Sequence, residues 1–234
     1  MARLLRRLAE TRTNSSLLLK TLHSSSSSAL LSSSSTTLAA FDENLVRILS
    51  SEIAYFSDHN PPYKPMSRFK LYTIQDRPGQ QWIRLKSTSY NPGEEIKIDA
   101  TMFDGAANPN PNPGLSLYKK VEAYESGPRL HISLVVEVLR AGSAFGFVCS
   151  AWPDLLAVEN AFPLSLSHNG PTGMPYMGRN FKKIEEEAKV AVREYLENRG
   201  VDDDMANFLH DYMMNKDKIE LIRWLKNIES YVKK

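Results

Sequence analysis

Leu130-His131-Ile132-Ser133-Leu134-Val135-Val136-Glu137-Val138-Leu139 is the most apolar run in this chain and reads as a central β-strand. Leu130, Ile132, Leu134, Val136 and Val138 recur at every second position and make one unbroken apolar face. Two more strands are expected C-terminal to it, Ala144 to Trp152 and about Leu155 to Phe162. On the N-terminal side lie Phe69 to Asp76, Gln81 to Tyr90 and Glu94 to Met102. Arg77-Pro78-Gly79 and Asn91-Pro92-Gly93 join these three as tight turns. Ile83 and Leu85 alternate with Arg84 and Lys86, and Ile96 and Ile98 with Lys97 and Asp99, so one face is buried and the other wet. A seventh strand is expected over about Ser116 to Glu125, after a loop at Gly105 to Gly114 whose prolines withhold ladder donors. Strands joined by short turns form an antiparallel meander.

Helical spacing flanks this sheet. Leu45, Ile48, Leu49, Ile53 and Phe56 step by threes and fours, opened by Asp42 and Glu43 and closed by Asn60-Pro61-Pro62. After a Gly- and Pro-rich loop at Pro163 to Gly178, the same spacing returns in Phe181, Ile184, Ala188, Ala191 and Tyr195, with Glu185 placed to pair with Lys189. Gly200 is positioned as a C-terminal cap. Asp202, Asp203 and Asp204 then start a further helix through Met205, Phe208, Leu209 and Tyr212. Ile222, Leu225, Ile228 and Val232 continue the stripe, with a break expected near Asn215. Segregated helices and grouped strands indicate the α+β class.

The chain has 234 residues and a net charge of +2, which is an average over unlike segments. Residues 1–40 carry Arg3, Arg6, Arg7, Arg12 and Lys20 against Glu10 alone, and eleven of the forty are serine. Leu4, Leu5 and Leu8 oppose Arg3, Arg6 and Arg7 on a short amphipathic turn. This composition predicts a disordered organellar transit peptide over 1–40, with the early arginines favouring mitochondria over a chloroplast address and a retained basic tail as the alternative, followed by a folded domain over 41–234. The remainder holds 29 − 5 = 24 basic and 27 − 1 = 26 acidic side chains, a net of −2. One cysteine excludes an internal disulfide framework, and no run reaches the ~18 apolar residues of a membrane span.

Chemistry-bearing motifs are sparse. Gly142-Ser143-Ala144-Phe145-Gly146 fits neither a phosphate loop nor a nucleophile elbow. His23, His59, His131, His168 and His210 include no helical pair four apart, and no metal or cofactor is expected. His131 is expected on the polar side of the sheet and His210 on the polar side of its helix. Cys149 sits in a strand that reads as buried, which makes its thiol inert. Glu185-Glu186-Glu187 and Asp202-Asp203-Asp204 do not converge, because consecutive helical residues point about a hundred degrees apart. No catalytic residue is assigned, although a hydrolase built on Ser165, Ser167 or His168 is one alternative. A second alternative is nucleic-acid binding by a basic sheet face of Arg84, Lys86, Lys97, Lys119 and Lys120, with Tyr72, Trp82 and Tyr118 available for stacking. Association is the stronger indication. Phe181, Ile184, Tyr195, Phe208, Leu209, Trp224, Leu225 and Ile228 give the C-terminal helices more apolar surface than one neighbour covers, and homo-oligomerisation supplies the rest.

The run Val192-Arg193-Glu194-Tyr195-Leu196-Glu197-Asn198-Arg199-Gly200-Val201, then Met205-Ala206-Asn207-Phe208-Leu209, resembles the mitochondrial glycoprotein family, also called mitochondrial acidic matrix proteins. So do the ending Arg223-Trp224-Leu225-Lys226-Asn227-Ile228-Glu229-Ser230-Tyr231-Val232 and, in the same order upstream, Ser51-Glu52-Ile53, Pro78-Gly79-Gln80-Gln81-Trp82-Ile83 and Glu94-Glu95-Ile96. The resemblance spans about Phe41 to Val232. It implies a seven-stranded, highly twisted antiparallel sheet with one N-terminal and two C-terminal helices, assembled as a doughnut-shaped homotrimer in the mitochondrial matrix. It also implies a non-enzymatic, chaperone-like protein with many partners, protein or ribonucleoprotein, linked to mitochondrial translation and oxidative phosphorylation. Relatives are strongly acidic, and this chain departs from them there.

Overall fold

The computed structural model describes residues 29–87, 93–107, 129–164 and 181–234. In chain order these form α1 (Ala29–His59), β1 (Arg68–Phe69), β2 (Tyr72–Asp76), β3 (Trp82–Ser87), β4 (Glu94–Thr101), β5 (Gly105–Ala107), β6 (Arg129–Arg140), β7 (Ser143–Trp152) and β8 (Leu155–Leu164). A 3-10 turn (Phe181–Lys183), α2 (Glu186–Glu197) and α3 (Asp203–Val232) complete the chain. The strand expected over Ser116 to Glu125 lies outside the described residues, as does the loop at 163–178 beyond Leu164.

The chain divides into two compact units, Met1–Ser50 with Glu229–Lys234, and Ser51–Ile228. In the first, the Ser50 hydroxyl donates to the Glu229 carboxylate, which also pairs with Lys233 at 2.9 Å. α1 begins at Ala29 rather than at Asp42. Helix propagation adds one hydrogen bond per residue fixed, so a stable amphipathic segment carries the helix back through serines that disfavour it only slightly. Asp42 and Glu43 are therefore interior residues of α1 and do not mark its start.

In the second unit every strand pairing is antiparallel, in the order β1-β2-β3-β4-β6-β7-β8, with β5 also on β6. β4 and β5 lie along the same edge of β6, with Ala100 opposite Leu134 and Gly105 opposite His131. The alternation in the sequence becomes the two faces of this sheet. Tyr72, Ile74, Ile83, Leu85, Ile96, Ile98, Ile132, Leu134, Val136 and Phe147 face inward. They pack with Leu196, Val201, Met205, Ala206, Leu209, Tyr212 and Met213, the apolar stripe of α2, α3 and their connection. At Gly146 the opposing strand comes close: a Cβ there would stand 2.8 Å from the Phe162 ring, so only glycine fits without a shift.

Four details of the helices differ from expectation. Phe181–Lys183 is a separate 3-10 turn, and Lys189 pairs with Glu186 at 3.0 Å while Glu185 offers only its backbone carbonyl. α3 runs unbroken through Asn215. Its amide is buried and clamps the chain after α1: it accepts from the Tyr63 N–H and donates to the Tyr63 carbonyl, both at 2.9 Å. His210 is buried, not on a polar face, because its Nε2 reaches the Ala151 carbonyl of β7 at 3.1 Å.

Candidate functional site

The charged face of the sheet is built by β3 and β4. Antiparallel register sets Arg84 beside Asp99, Lys86 beside Lys97, and Lys97 beside Glu137. Arg84 grips Asp99 through two parallel bonds of 2.6 and 2.7 Å and lies over the Trp82 ring at 5.3 Å. The hydrogen bonds to Asp99 push the already high guanidinium pKa further up. Lys97 stands 3.8 Å from Glu95. Arg84, Lys86 and Lys97 thus share one face, and Asp99, Glu95 and Glu137 interleave them. Phosphate binding draws on uncompensated positive charge, and the described part of this face has none in surplus. Lys119 and Lys120 lie outside the described residues, as does Tyr118.

The apolar helix residues fall into two sets. Phe181, Phe208, Leu209 and Leu225 are buried inside the protomer, and Ile228 is half-buried. Ile184, Tyr195 and Trp224 remain exposed, Trp224 by 45%. The first set packs the helices; only the second is left to face another molecule.

Polar groups absent from the sequence reading tie the helices to the sheet. Glu94, at the start of β4, holds the Arg199 guanidinium at 3.0 Å with both side chains buried. Arg199 also donates to the Tyr195 carbonyl at 2.7 Å, stacks 3.5 Å from the Tyr195 ring centre, and accepts the Tyr72 hydroxyl on its own carbonyl at 2.6 Å. Lys216 is only 1% exposed, yet its ammonium meets Asp76 at 2.6 Å and Glu220 at 3.4 Å. The Tyr212 hydroxyl donates to the other oxygen of Asp76 at 3.0 Å, and burial raises that phenol's pKa ahead of the effect of the carboxylate. Burial alone acts to raise the Glu220 carboxyl, but bonds from Arg223 and the Gly79 N–H, with Lys216 nearby, hold it below the usual carboxylate range. One signal was available for Lys216: it falls on the stripe Met205, Leu209, Tyr212, where an apolar residue belongs.

Of the three aspartates at the start of α3, Asp202 and Asp204 meet on one cation, against the expectation that none converge, because they sit two positions apart across the N-terminal cap, and only Asp203 diverges. Asp202 caps the helix by accepting the Met205 N–H at 3.0 Å, and with Asp204 it shares Lys70 at 2.9 Å. Asp203 turns the other way, to Arg193 at 3.0 Å and to the Leu156 N–H of β8 at 2.8 Å. Between β8 and α2 this leaves a groove of about 410 Å³, floored by Leu156, Val158, Phe181 and Leu196 and edged by Val190 and Glu197.

Among the described residues, Cys149 and His131 are bound up in the fold. Burial pushes the Cys149 thiol up to about 12. His131 bonds Asp104 at 2.7 Å against the Trp152 ring. Burial acts to raise the Asp104 carboxyl, and hydrogen bonds from Ser133, His131 and Thr101 outweigh it and leave it low. Among the described residues no group of three or more His, Cys, Asp or Glu is placed to hold a metal ion, and no helix is long and apolar enough to cross a membrane. Ser165, Ser167 and His168 lie outside the described residues.

Similarity to known proteins follows the same boundaries as the fold. A family model described as mitochondrial glycoprotein matches residues 49–232. An uncharacterised mitochondrial protein of Arabidopsis thaliana is 31% identical, over 82% of this chain and 75% of its own. A mitochondrial acidic protein of Schizosaccharomyces pombe is 22% identical, over 81% and 78%. The crystal structure of the Trypanosoma brucei p22 protein superposes with a TM-score of 0.64 at 21% identity, over 82% of this chain and 99% of that one. A Leishmania major protein described as a homologue of human p32 gives 0.59 at 16%, over 82% and 98%. These two establish the likeness of fold. With a family match that runs from the last third of α1 through the sheet to the end of α3, this chain is a member of the mitochondrial glycoprotein family.

Proposed function

We propose that this chain is a non-enzymatic binding protein of the mitochondrial matrix, chaperone-like and working as a homotrimer, whose protein or ribonucleoprotein partners serve mitochondrial gene expression and oxidative phosphorylation. The observation that carries the reading is the family match over residues 49–232, joined to relatives named as mitochondrial. The polar groups of the interior support it. Glu94, Arg199, Lys216, Tyr212 and His210 each bond to another element of the same chain and hold the fold together. Exposed Ile184, Tyr195 and Trp224 supply apolar surface for contacts between copies. Residues 1–40 serve as the import address, with the Arg-rich start that such peptides carry.

Two measurements test this. The full-length chain, incubated with isolated energised mitochondria, should become protected from added protease and remain so after the outer membrane is opened. Light scattering on the imported protein should give about three times the mass of one processed protomer, and a clean monomer refutes the assembly. Affinity purification of the tagged chain from mitochondria then identifies the partners.

A further inference from the structure

We infer that the groove between β8 and α2 is a binding site for a small uncharged molecule carrying an alkyl or acyl chain. This goes beyond the reading as a protein-binding trimer and can fail without it. The floor of the groove is the protein's own core laid open. Leu156, Phe181, Leu196 and Val201 are buried there, and Leu156, Leu196 and Val201 belong to the central apolar cluster. Leu155 of β8 and Val190 of α2 form an exposed apolar lip, Val190 by 48%. The volume of about 410 Å³ falls within the roughly 300–1,000 Å³ of small-molecule pockets. It is room for roughly a dozen waters at ~30 Å³ each, against floor side chains that offer them no hydrogen bond. An apolar chain lying in the groove releases that water and removes its own surface from solvent.

The rim decides the head group. Glu186, Glu197, Asp202 and Asp203 border the groove, and each already meets a cation. Glu186 holds Lys189 at 3.0 Å, Glu197 and Asp203 hold Arg193 at 2.7 and 3.0 Å, and Asp202 holds Lys70 at 2.9 Å. Asp202 and Asp203 also accept the N–H groups of Met205 and Leu156. An ammonium head would have to displace a lysine or arginine from one of these pairs. A carboxylate head would face four carboxylates and find both bordering cations, Lys189 and Arg193, engaged. An uncharged head meets neither obstacle and stays in water at the mouth. The chain therefore carries the affinity.

The test uses the full chain with isotope-labelled leucine and valine methyl groups, titrated with hexanol, octanol and decanol and read by NMR. Shifts should concentrate at Leu155, Leu156, Val158, Val190, Leu196 and Val201. Each further buried methylene is worth roughly fourfold in affinity, so each two-carbon step should tighten binding by on the order of tenfold until the groove is full. Octanoate and octylammonium should bind no tighter than octanol, and added salt should not weaken octanol binding. Val190→Trp, at an exposed helix position, should fill the lip and weaken octanol by about tenfold or more, whereas Met214→Trp, outside the groove, should leave it unchanged. If Val190→Trp fails to fold, the methyl shifts and the chain-length series on the unaltered protein still decide. Shifts spread over other apolar surfaces, an affinity indifferent to chain length, or tighter binding of either charged analogue overturns the inference. So does undiminished octanol binding by folded Val190→Trp, or a change in its oligomer mass, which makes the groove a contact between copies. If no alcohol binds while partners still co-purify with the full chain, this inference fails and the binding-protein reading stands.

Discussion

Breaking the Glu94–Arg199 pair is the most direct test of how α2 is fastened to the sheet. The two side chains are 1% and 9% exposed, and the guanidinium stands 3.0 and 3.1 Å from one carboxylate oxygen. Replacing Glu94 by Met fills a similar volume but leaves Arg199 charged in a site with almost no access to water. The arginine keeps the Tyr195 carbonyl and ring, which cannot neutralise it. Removing one partner of a buried ion pair costs about 3–5 kcal/mol, against ~0.2–1 kcal/mol for an exposed pair such as Lys189–Glu186. In a chain of this size each kcal/mol moves Tm by roughly 2–4 °C, so Glu94→Met should lower it by about 6–20 °C. Urea unfolding followed by circular dichroism, at a fixed protomer concentration because assembly contributes to stability, should be run on Glu94→Met, Arg199→Met and the double variant. Each single change should be costly and the double change far cheaper than their sum. Single variants losing less than about 1 kcal/mol, or two losses that simply add, would show that the pair does not fasten α2.

Three further outcomes are expected. Gly146→Ala should destabilise by about 1–3 kcal/mol, since its Cβ would press on the Phe162 ring, and Phe162→Leu in the same chain should recover part of that in urea unfolding. Cys149, with a thiol pKa raised to about 12 by burial, should stay unlabelled by iodoacetamide at pH 8 in the folded protein and react at once in urea; rapid labelling of the native state contradicts its burial. Stability should fall on acidification through His210 and through the two lowered carboxyls, Asp104 and Glu220. The folded Asp104 carboxyl is held below its ordinary value, so its contribution is complete above the unfolded carboxylate pKa and is lost as pH drops through the lower folded one. His210 is lowered mainly by burial, so the unfolded chain takes up a proton first as pH falls below about 6.5. His210→Gln should flatten the upper part of that acid decline and Asp104→Asn the lower part, read from Tm against pH.

Much of the fold was legible because its signals are local. The alternation through Ile83, Leu85, Ile96, Ile98 and the run from Leu130 became paired strands in register, and the three- and four-residue steps became helices. What escaped depends on partners far along the chain. Asn215 reads as a helix interruption until its partner Tyr63, 152 positions away, is known. Lys216 falls on the apolar stripe without explanation until Asp76, 140 positions away, is beside it. The start of α1 was missed because serine runs resemble linker, and propensity is a weak guide once a neighbouring segment propagates the helix. The exposed apolar residues were named but not sorted. Helical spacing does place Leu225 on the stripe of Ile222, Ile228 and Val232 and leaves Trp224 off it, and the structure buries the first and exposes the second.

Adjacent residues Asn215 and Lys216 reach two different segments, the first Tyr63 beyond α1 and the second Asp76 at the end of β2. Together they act as a two-point gauge on the phase of α3. Each residue added to or removed from a helix turns everything beyond it by about a hundred degrees. One deletion between Met205 and Met214 would therefore swing both anchors off their partners at once and strand the Asp76 carboxylate, while Lys216 kept only Glu220 of its own helix. The evolutionary room of this segment lies in exchanges of side chain rather than changes of length. Beyond Lys216 the same phase is held by Lys218 on Asn60 and by Glu220 on the Gly79 N–H.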